Sequence, residues 1–150
     1  MRLFALLLSA FVLCSCTGDR NASTTLDVLD SREVKMPNGQ TIRAEAMIKP
    51  VDLQRGLMFR ESLPQGRGML FLHKQAGPYQ YWMYQVKFPL DIVFIDSQHR
   101  VLGVAAAVPC KTRSSECPQY GNHPGTQYVL EVNAGEAARY GVAQGALIGF

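Results

Sequence analysis

Hydrophobic and polar residues alternate in several short stretches of the chain, as they do in strands that bury one face. The clearest example surrounds Asn38-Gly39, a dipeptide that favours the positive φ angles of a tight turn, with the segments 33–36 and 41–48 on either side. The apolar positions of the second segment are Ile42, Ala44, Ala46 and Ile48. This pattern predicts a β-hairpin near the beginning of the fold.

Further short apolar segments are separated by turn-forming residues, a spacing that favours strands over helices. They predict strands over residues 69–72, 79–84, 91–96, 101–108, 128–132 and 146–150. Residues 91–96 are apolar on both faces, so this strand is predicted to be central. The polar stretch 109–126 is predicted to be the longest loop.

Two short helices complete the predicted elements. Pro50 suits the first turn of a helix over residues 50–58, because its missing N–H is not needed there, and Leu53 and Leu57 share one face. Residues 134–140 form the second predicted helix. The fold is therefore expected to be mainly β, a compact sandwich or partly closed barrel of short strands with two short helices. The alternating β–α–β order of a nucleotide-binding parallel sheet is absent from this pattern.

The first residues have the features of an export signal. Met1-Arg2 precede an apolar run over residues 3–13, which is shorter than the ~20 residues that span a bilayer. The run leads into Leu13-Cys14-Ser15-Cys16, which resembles the lipobox of bacterial lipoproteins, although Cys14 stands where a small or β-branched residue is commoner. An ordinary cleaved signal peptide is the alternative.

This resemblance divides the chain into three parts. They are a signal peptide over residues 1–15, a flexible tether over residues 16–25 that begins at a lipidated Cys16, and a single globular domain over residues 26–150. Resemblance to lipoproteins implies several acyl chains, which are enough for stable anchoring to a membrane. Thr17 follows Cys16 where Asp would mark inner-membrane retention, so an outer membrane facing the periplasm is favoured if the organism has one.

The net charge and the motifs of the chain limit the kinds of partner and cofactor that we expect it to bind. The formal net charge of +3 falls to +2 without residues 1–15, because Arg2 is the one charged residue there. Lys and Arg are dispersed among acids, so no nucleic-acid partner is expected. No cofactor is expected either, since phosphate-cradling motifs are absent from the sequence.

Metal binding is not expected, although one alternative stays open. His73, His99 and His123 lack the spacing of zinc ligands, and each is interpreted as a loop or surface residue. Three methionines near His73 in sequence could form a soft-ligand copper site, but methionine is a common core residue, and packing within apolar segments already explains all three. These methionines are Met58, Met69 and Met83.

Export also affects the interpretation of the two cysteines of the domain. Cys110 and Cys117 are predicted to form a disulfide, because exported proteins reside in oxidising compartments. The bond would close a short polar loop and stabilise it by at most about 2 to 3 kcal/mol. Free thiols or metal ligands are the alternative.

A series of segments in this chain resembles the family called Domain of Unknown Function 192, over about Val34 to Gly145. The resemblance implies a small, mostly β sandwich and no established general activity. Two departures stand out: Tyr84 to Phe88 replace a usual Asn-Thr pair, and Ala146 stands where Asp is usual after Gly145. The matching segments are Arg55-Gly56-Leu57-Met58-Phe59-Arg60, Ser62-Leu63-Pro64, Gly68-Met69-Leu70-Phe71, Trp82-Met83, Pro89-Leu90-Asp91-Ile92-Val93-Phe94-Ile95, Tyr128-Val129-Leu130-Glu131 and Ala134-Gly135.

Five residues within these segments form the candidate ligand-binding site: Arg55, Arg60, Trp82, Asp91 and Glu131. Asp91 opens the strand that is apolar on both faces, so its carboxylate needs a partner, which Arg55 or Arg60 could supply. Such a pair could simply brace the helix against the sheet. Alternatively, it could face an aromatic platform formed by Trp82, Tyr81 or Tyr84, which would suit an envelope carbohydrate or a protein ligand.

Two functions of different classes therefore follow. The favoured one is a noncatalytic binding or accessory module of the cell envelope, because no nucleophile and base can be assembled from the motifs. The alternative is a carboxylate-dependent hydrolase of an envelope or carbohydrate substrate, with Asp91 and Glu131 as acid and base. The hydrolase requires both carboxyl groups to share one concave surface.

Overall fold

The computed structural model describes residues 30–150, so the predicted signal peptide, Cys16 and the predicted tether lie outside the described residues. The helices are α1 (Pro50–Arg55) and α2 (Glu136–Arg139), with one 3-10 turn at Ser114–Glu116. The mainly β prediction with two short helices is confirmed. The strands are β1 (Ser31–Lys35), β2 (Thr41–Met47), β3 (Arg67–Trp82), β4 (Leu90–Ile95), β5 (Val101–Ala107) and β6 (Gln119–Asn133).

All six strands form one sheet in the order β1-β2-β3-β6-β4-β5, and this sheet is not closed into a barrel. The predicted hairpin is confirmed as the antiparallel pair β1–β2. β2 and β3 run parallel and are connected through α1, and the other neighbouring strands are antiparallel. Glu131 of β6 lies between Met69 of β3 and Ile92 of β4, so these three residues share a row across the sheet.

The sheet buries side chains on both faces. On one face, which we call the α2 face, Val93 and Val132 pack with Ala137 of α2 and with Ile148 near the end of the chain. On the opposite face, the α1 face, the buried cluster includes Phe71 and Ile92, and it also contains Leu57 from the loop after α1. Every residue of β4 is buried and β4 lies between two other strands, which confirms the predicted central strand.

The two longest strands differ from the prediction. The predicted strands 69–72 and 79–84 are parts of the single 16-residue strand β3, which continues through register irregularities around Gly77. The predicted loop 109–126 is wrong in its second half, because residues 119–126 belong to β6 and pair with β3. Polar and glycine-containing sequence is compatible with these strands because the two segments supply each other's backbone hydrogen bonds.

The paired outer halves of β3 and β6 form an arm that crosses the α1 face of β4. Gly121 has φ +109°, and a Cβ atom at this position would lie 2.6 Å from a ring carbon of Phe94. The same Cβ atom would lie 2.6 Å from the backbone oxygen of Tyr79. Close approach of the arm to β4 therefore requires glycine here.

The ends of the other predicted elements also need correction. α1 ends at Arg55 and not at residue 58, because Gly56 takes a positive φ of 46°. The predicted strand 146–150 is reduced to isolated bridges at Leu147 and Gly149. Ile48 was expected to continue the buried face of the hairpin, but it lies beyond β2 and is exposed.

Cys110 and Cys117 form the predicted disulfide. It encloses the 3-10 turn Ser114–Glu116 and thereby holds the polar connection between β5 and β6. Among residues 30–150, no helix is long and apolar enough to cross a membrane.

Candidate functional site

A cavity of about 190 Å³ lies on the α1 face, beneath the loop that follows α1. Glu131 of β6 lines it, and the aromatic rings come from β3. We call it the Glu131 cavity. Its lining residues are Leu53, Gln54, Arg55, Gly56, Leu57, Met58, Phe71, His73, Tyr79, Gln80, Tyr81, Trp82, Val86 and Glu131.

Glu131 is the acidic residue of this cavity and is only 5% exposed. Within residues 30–150 no hydrogen bond or ion pair to its carboxyl group is formed. Burial raises the pKa of Glu131 to about 8, because the ionised form has lost its water and has no compensating partner. The carboxyl group is therefore available to a ligand.

Three residues of β3 form a connected polar and aromatic wall beside Glu131. The His73 and Tyr79 rings stack with centroids 3.5 Å apart, and His73 Nε2 lies 2.9 Å from the Tyr81 hydroxyl oxygen. Burial lowers the pKa of His73. Burial, together with the charge of Glu131, raises the pKa of Tyr81. Both side chains are consequently neutral at neutral pH, and each can offer a hydrogen-bonding atom without adding charge.

The cavity is narrowed by the turn after α1. A Cβ atom on Gly56 would lie 3.1 Å from the Phe71 ring, so glycine lets this turn approach β3 closely. Arg55 immediately precedes the turn, is exposed and lines the cavity, and it has no ion pair among residues 30–150. Trp82 lines it from the end of β3, with its ring centroid 5.5 Å from that of Tyr84.

Asp91 lies elsewhere, on the α2 face. Its Oδ2 atom accepts a hydrogen bond of 3.0 Å from the backbone N–H of Ala137, in the first turn of α2. The prediction that Arg55 or Arg60 pairs with Asp91 is therefore wrong. Desolvation of Asp91 was anticipated correctly, since it is 7% exposed, but a backbone donor compensates it and not a guanidinium.

Arg60 pairs with Glu45 of β2. Its two terminal nitrogens lie 2.5 and 2.7 Å from the two carboxylate oxygens, a bidentate arrangement. Arg60 lines a wider cleft of about 510 Å³ that shares Arg55, Gly56 and Met58 with the Glu131 cavity. The acidic residues that line this cleft, Asp30 and Asp52, are not buried, and Arg60 is already paired with Glu45. The Glu131 cavity, which contains a buried acid without a partner, is therefore the stronger candidate for a binding site.

The predicted site is thus brought together only in part. Arg55, Trp82 and Glu131 share one concave surface, whereas Asp91 lies on the opposite face of the sheet. The hypothesis that Asp91 and Glu131 act as acid and base of a hydrolase is therefore wrong, because one substrate cannot contact both carboxyl groups.

Residues 33–150 match the model of the family DUF192, described as Uncharacterized ACR. The chain belongs to the DUF192 family. The Glu131 cavity is accordingly a feature of a DUF192 domain, and all of its lining residues lie within the matched range.

Two crystal structures are similar to this DUF192 protein. One is a protein of unknown function from Novosphingobium aromaticivorans, with 30% identity, a TM-score of 0.74, and coverage of 85% of this chain and 90% of that chain. The other, from Sinorhizobium meliloti, is described as a "putative transcription regulator"; it has 29% identity, a TM-score of 0.67, and coverage of 78% of this chain and 89% of that chain. No curated protein matches the DUF192 chain.

Sequence reasoning missed the role of His73 and Tyr79 in this DUF192 domain. It placed His73 in a loop or on the surface, whereas His73 lies in β3 and lines the cavity. Phe71 and His73 alternate along the first part of β3, and Tyr79 and Tyr81 alternate along the second, and all four line the cavity although the register of β3 is irregular between the two pairs. Splitting β3 into two strands concealed this periodicity.

The methionines of the copper alternative differ in their burial. Met58 lines the cavity together with His73, but Met69 and Met83 are fully buried in the core of the α1 face. In the part of the chain that the structure describes, no group of three His, Cys, Asp or Glu residues could hold a metal ion.

Proposed function

We propose that this DUF192 protein is an exported lipoprotein of the cell envelope, anchored through Cys16, whose domain acts as a noncatalytic binding or accessory module. The observation that carries the binding function is the buried Glu131 carboxyl group, which faces an aromatic-lined cavity without a hydrogen-bonding partner. A cavity with mostly apolar walls and a few convergent polar groups is the usual form of a small-molecule site.

Export is supported by two independent features of the chain. The segment Leu13 to Cys16 resembles a lipobox, and the Cys110–Cys117 disulfide suits an oxidising compartment. Thr17 favours the outer membrane, with the domain facing the periplasm, if the organism has one. The ligand would then be a small molecule, or a carbohydrate or protein group, of the envelope.

A noncatalytic role is supported by the composition of the Glu131 cavity. Glu131 is its one carboxyl group, and the two groups nearest to a catalytic pair, His73 and Tyr81, are engaged with each other. The Tyr81 hydroxyl lies beside the His73 ring, but burial raises the pKa of Tyr81 and so disfavours the ionised form that would attack an ester, amide or glycoside.

The binding function can be tested with a fragment library containing neutral glycosides, carboxylates and amines. The full-length chain, isotope-labelled and purified in a maltoside detergent, would be screened by amide chemical-shift mapping. We expect at least one fragment to shift the amides of Gly56, Tyr81 and Glu131 together. Fragments that bind only at other surfaces, or no binding at millimolar concentration, would overturn the proposed site.

A further inference from the structure

The Glu131 cavity has an uncompensated acidic group at its wall and several aromatic rings around it. Phe71, Tyr79, Tyr81 and Trp82 all line the same space as Glu131. Aromatic faces attract cations through the ring quadrupole, most strongly where water is excluded. A buried carboxylate attracts the same charge.

We propose that the Glu131 cavity binds a small organic cation, with an ammonium group of the ligand against the Glu131 carboxylate and the aromatic rings around it. This inference rests on the proposed binding function and specifies its ligand class. The cation would supply the counter-charge that no described residue supplies, so ligand and cavity neutralise each other.

The charged and titratable groups around Glu131 are consistent with this assignment. From β3, His73 adds no positive charge at neutral pH, because burial lowers its pKa. From β2, Glu45 lies on the same face, but Arg60 neutralises it. From α1, Arg55 lines the cavity yet is exposed, and it does not offset the effect of burial on the pKa of Glu131.

A neutral or anionic ligand would use this arrangement less well. A neutral ligand would leave Glu131 protonated, since burial raises its pKa to about 8, and could form a hydrogen bond with it but no charge pair. An anion would meet the same acid without a buried cation to pair with. A cation instead favours the ionised form of Glu131, so its binding at neutral pH releases a proton.

The test compares two ligands of nearly the same shape that differ in charge, choline and 3,3-dimethylbutan-1-ol. Both would be titrated into the full-length chain in a maltoside detergent at pH 7. Trp82, the one tryptophan of the chain, reports occupancy by its fluorescence, and calorimetry in buffers of different ionisation enthalpy reports proton release. We expect choline to bind at least tenfold more tightly than the alcohol and to release a proton.

Two variants make the assignment specific to Glu131. Glu131→Gln should abolish the tenfold preference for choline, because glutamine cannot ionise and its introduction weakens the binding of choline much more than that of the alcohol. Glu116→Gln makes the same side-chain replacement at an exposed position outside the cavity and should retain the preference. If Glu131→Gln fails to fold, the wild-type chain is sufficient: the affinity for choline should rise from pH 6 to pH 9, whereas that for the alcohol should not.

The outcomes separate this inference from the proposed function. Equal Kd values for choline and the alcohol, or a pH-independent affinity for choline, would reject the cation and retain the site. Absence of binding by choline would also reject the cation, and the fragment screen would then show whether the cavity binds any other class of molecule. Failure of every fragment would reject both.

Discussion

Asp91 and Glu131 lie on neighbouring strands but on opposite faces of the sheet. β4 and β6 are paired so that Asp91 lies beside Val132 and Glu131 beside Ile92, which shifts the two acids by one residue. Because side chains alternate between the two faces along a strand, the Asp91 side chain lies against α2 and the Glu131 side chain lies in the cavity. The two carboxyl groups therefore lie in different environments, one at the start of α2 and the other in the Glu131 cavity.

The first prediction concerns the stabilising role of Asp91. Asp91→Ala should lower the free energy of unfolding by roughly 1 to 3 kcal/mol, because it leaves the Ala137 N–H buried without its acceptor. Asp91→Asn retains an oxygen acceptor and should lose less. Urea unfolding of both variants measures the difference, and equal stability of Asp91→Ala and the wild type would show that this hydrogen bond contributes nothing.

The second prediction concerns the Arg60–Glu45 ion pair. Arg60→Ala should destabilise the domain by about 2 kcal/mol, since the Glu45 side chain is only 8% exposed and would lose its partner. The expected loss of stability is smaller than that for a fully buried ion pair, because the Arg60 side chain is 29% exposed. Arg60→Lys should recover part of the loss, as lysine cannot form the bidentate contact.

A double-mutant cycle with Glu45→Ala decides whether the effect comes from the pair. If the two side chains act together, the double variant should be less destabilised than the sum of the single variants by at least ~1 kcal/mol. Strict additivity would mean that Arg60 and Glu45 contribute separately through packing.

Much of the fold was predictable from local sequence signals. Asn38-Gly39 defined the hairpin, and the doubly apolar residues 91–96 predicted a central strand. The length of β3 was not predictable, because Gly77 and Pro78 weaken the strand pattern and only pairing with β6 maintains it.

The sequence allowed some residues of the candidate site to be predicted, but it did not allow their contacts to be predicted. Arg55, Trp82 and Glu131 were identified as candidates, but alternation within β4 and β6 does not reveal how the two strands are aligned. A shift of one residue would place Asp91 and Glu131 on the same face. The register depends on long-range pairing, so the separation of the acids became visible only in the structure.

The third prediction concerns the pH dependence of stability. The pKa of Glu131 is raised from 4.5 to about 8 in the folded domain, so between these values the folded state holds a proton that the unfolded chain has released. Stability attributable to Glu131 is therefore fully present below pH 4.5 and declines as the pH rises towards 8, by up to ~1.4 kcal/mol per pH unit. Glu131→Gln should remove this slope.

His73 and the other titrating groups contribute equally to the pH dependence of stability in Glu131→Gln and in the wild type, so the difference between the two profiles isolates the contribution of Glu131. Unfolding free energies would be measured from pH 5 to pH 9, with Glu116→Gln as the control that retains the wild-type slope. Parallel profiles for the wild type and Glu131→Gln would mean that Glu131 titrates alike in the folded and unfolded chains.

The fourth prediction is lipid attachment at Cys16. Labelled palmitate supplied to cells should enter the wild-type protein and the Cys14→Ala variant, because Cys14 is not the acceptor in the motif that this segment resembles. Cys16→Ala should remain unlabelled. Label retained in Cys16→Ala would contradict the anchor, whatever the cavity binds.

The central claim is that Glu131 is an unpaired buried carboxyl group that is available to a ligand. The ionisation of Glu131 tests this claim most directly. The side-chain carboxyl ¹³C shift of Glu131 would be followed from pH 4 to pH 10 by NMR, with and without choline. We predict a midpoint near pH 8 in the free protein, because burial raises the pKa of Glu131 to about 8, and a lower midpoint with choline bound. An ordinary midpoint near 4.5, unchanged by choline, would contradict both the buried carboxyl group and its role in binding.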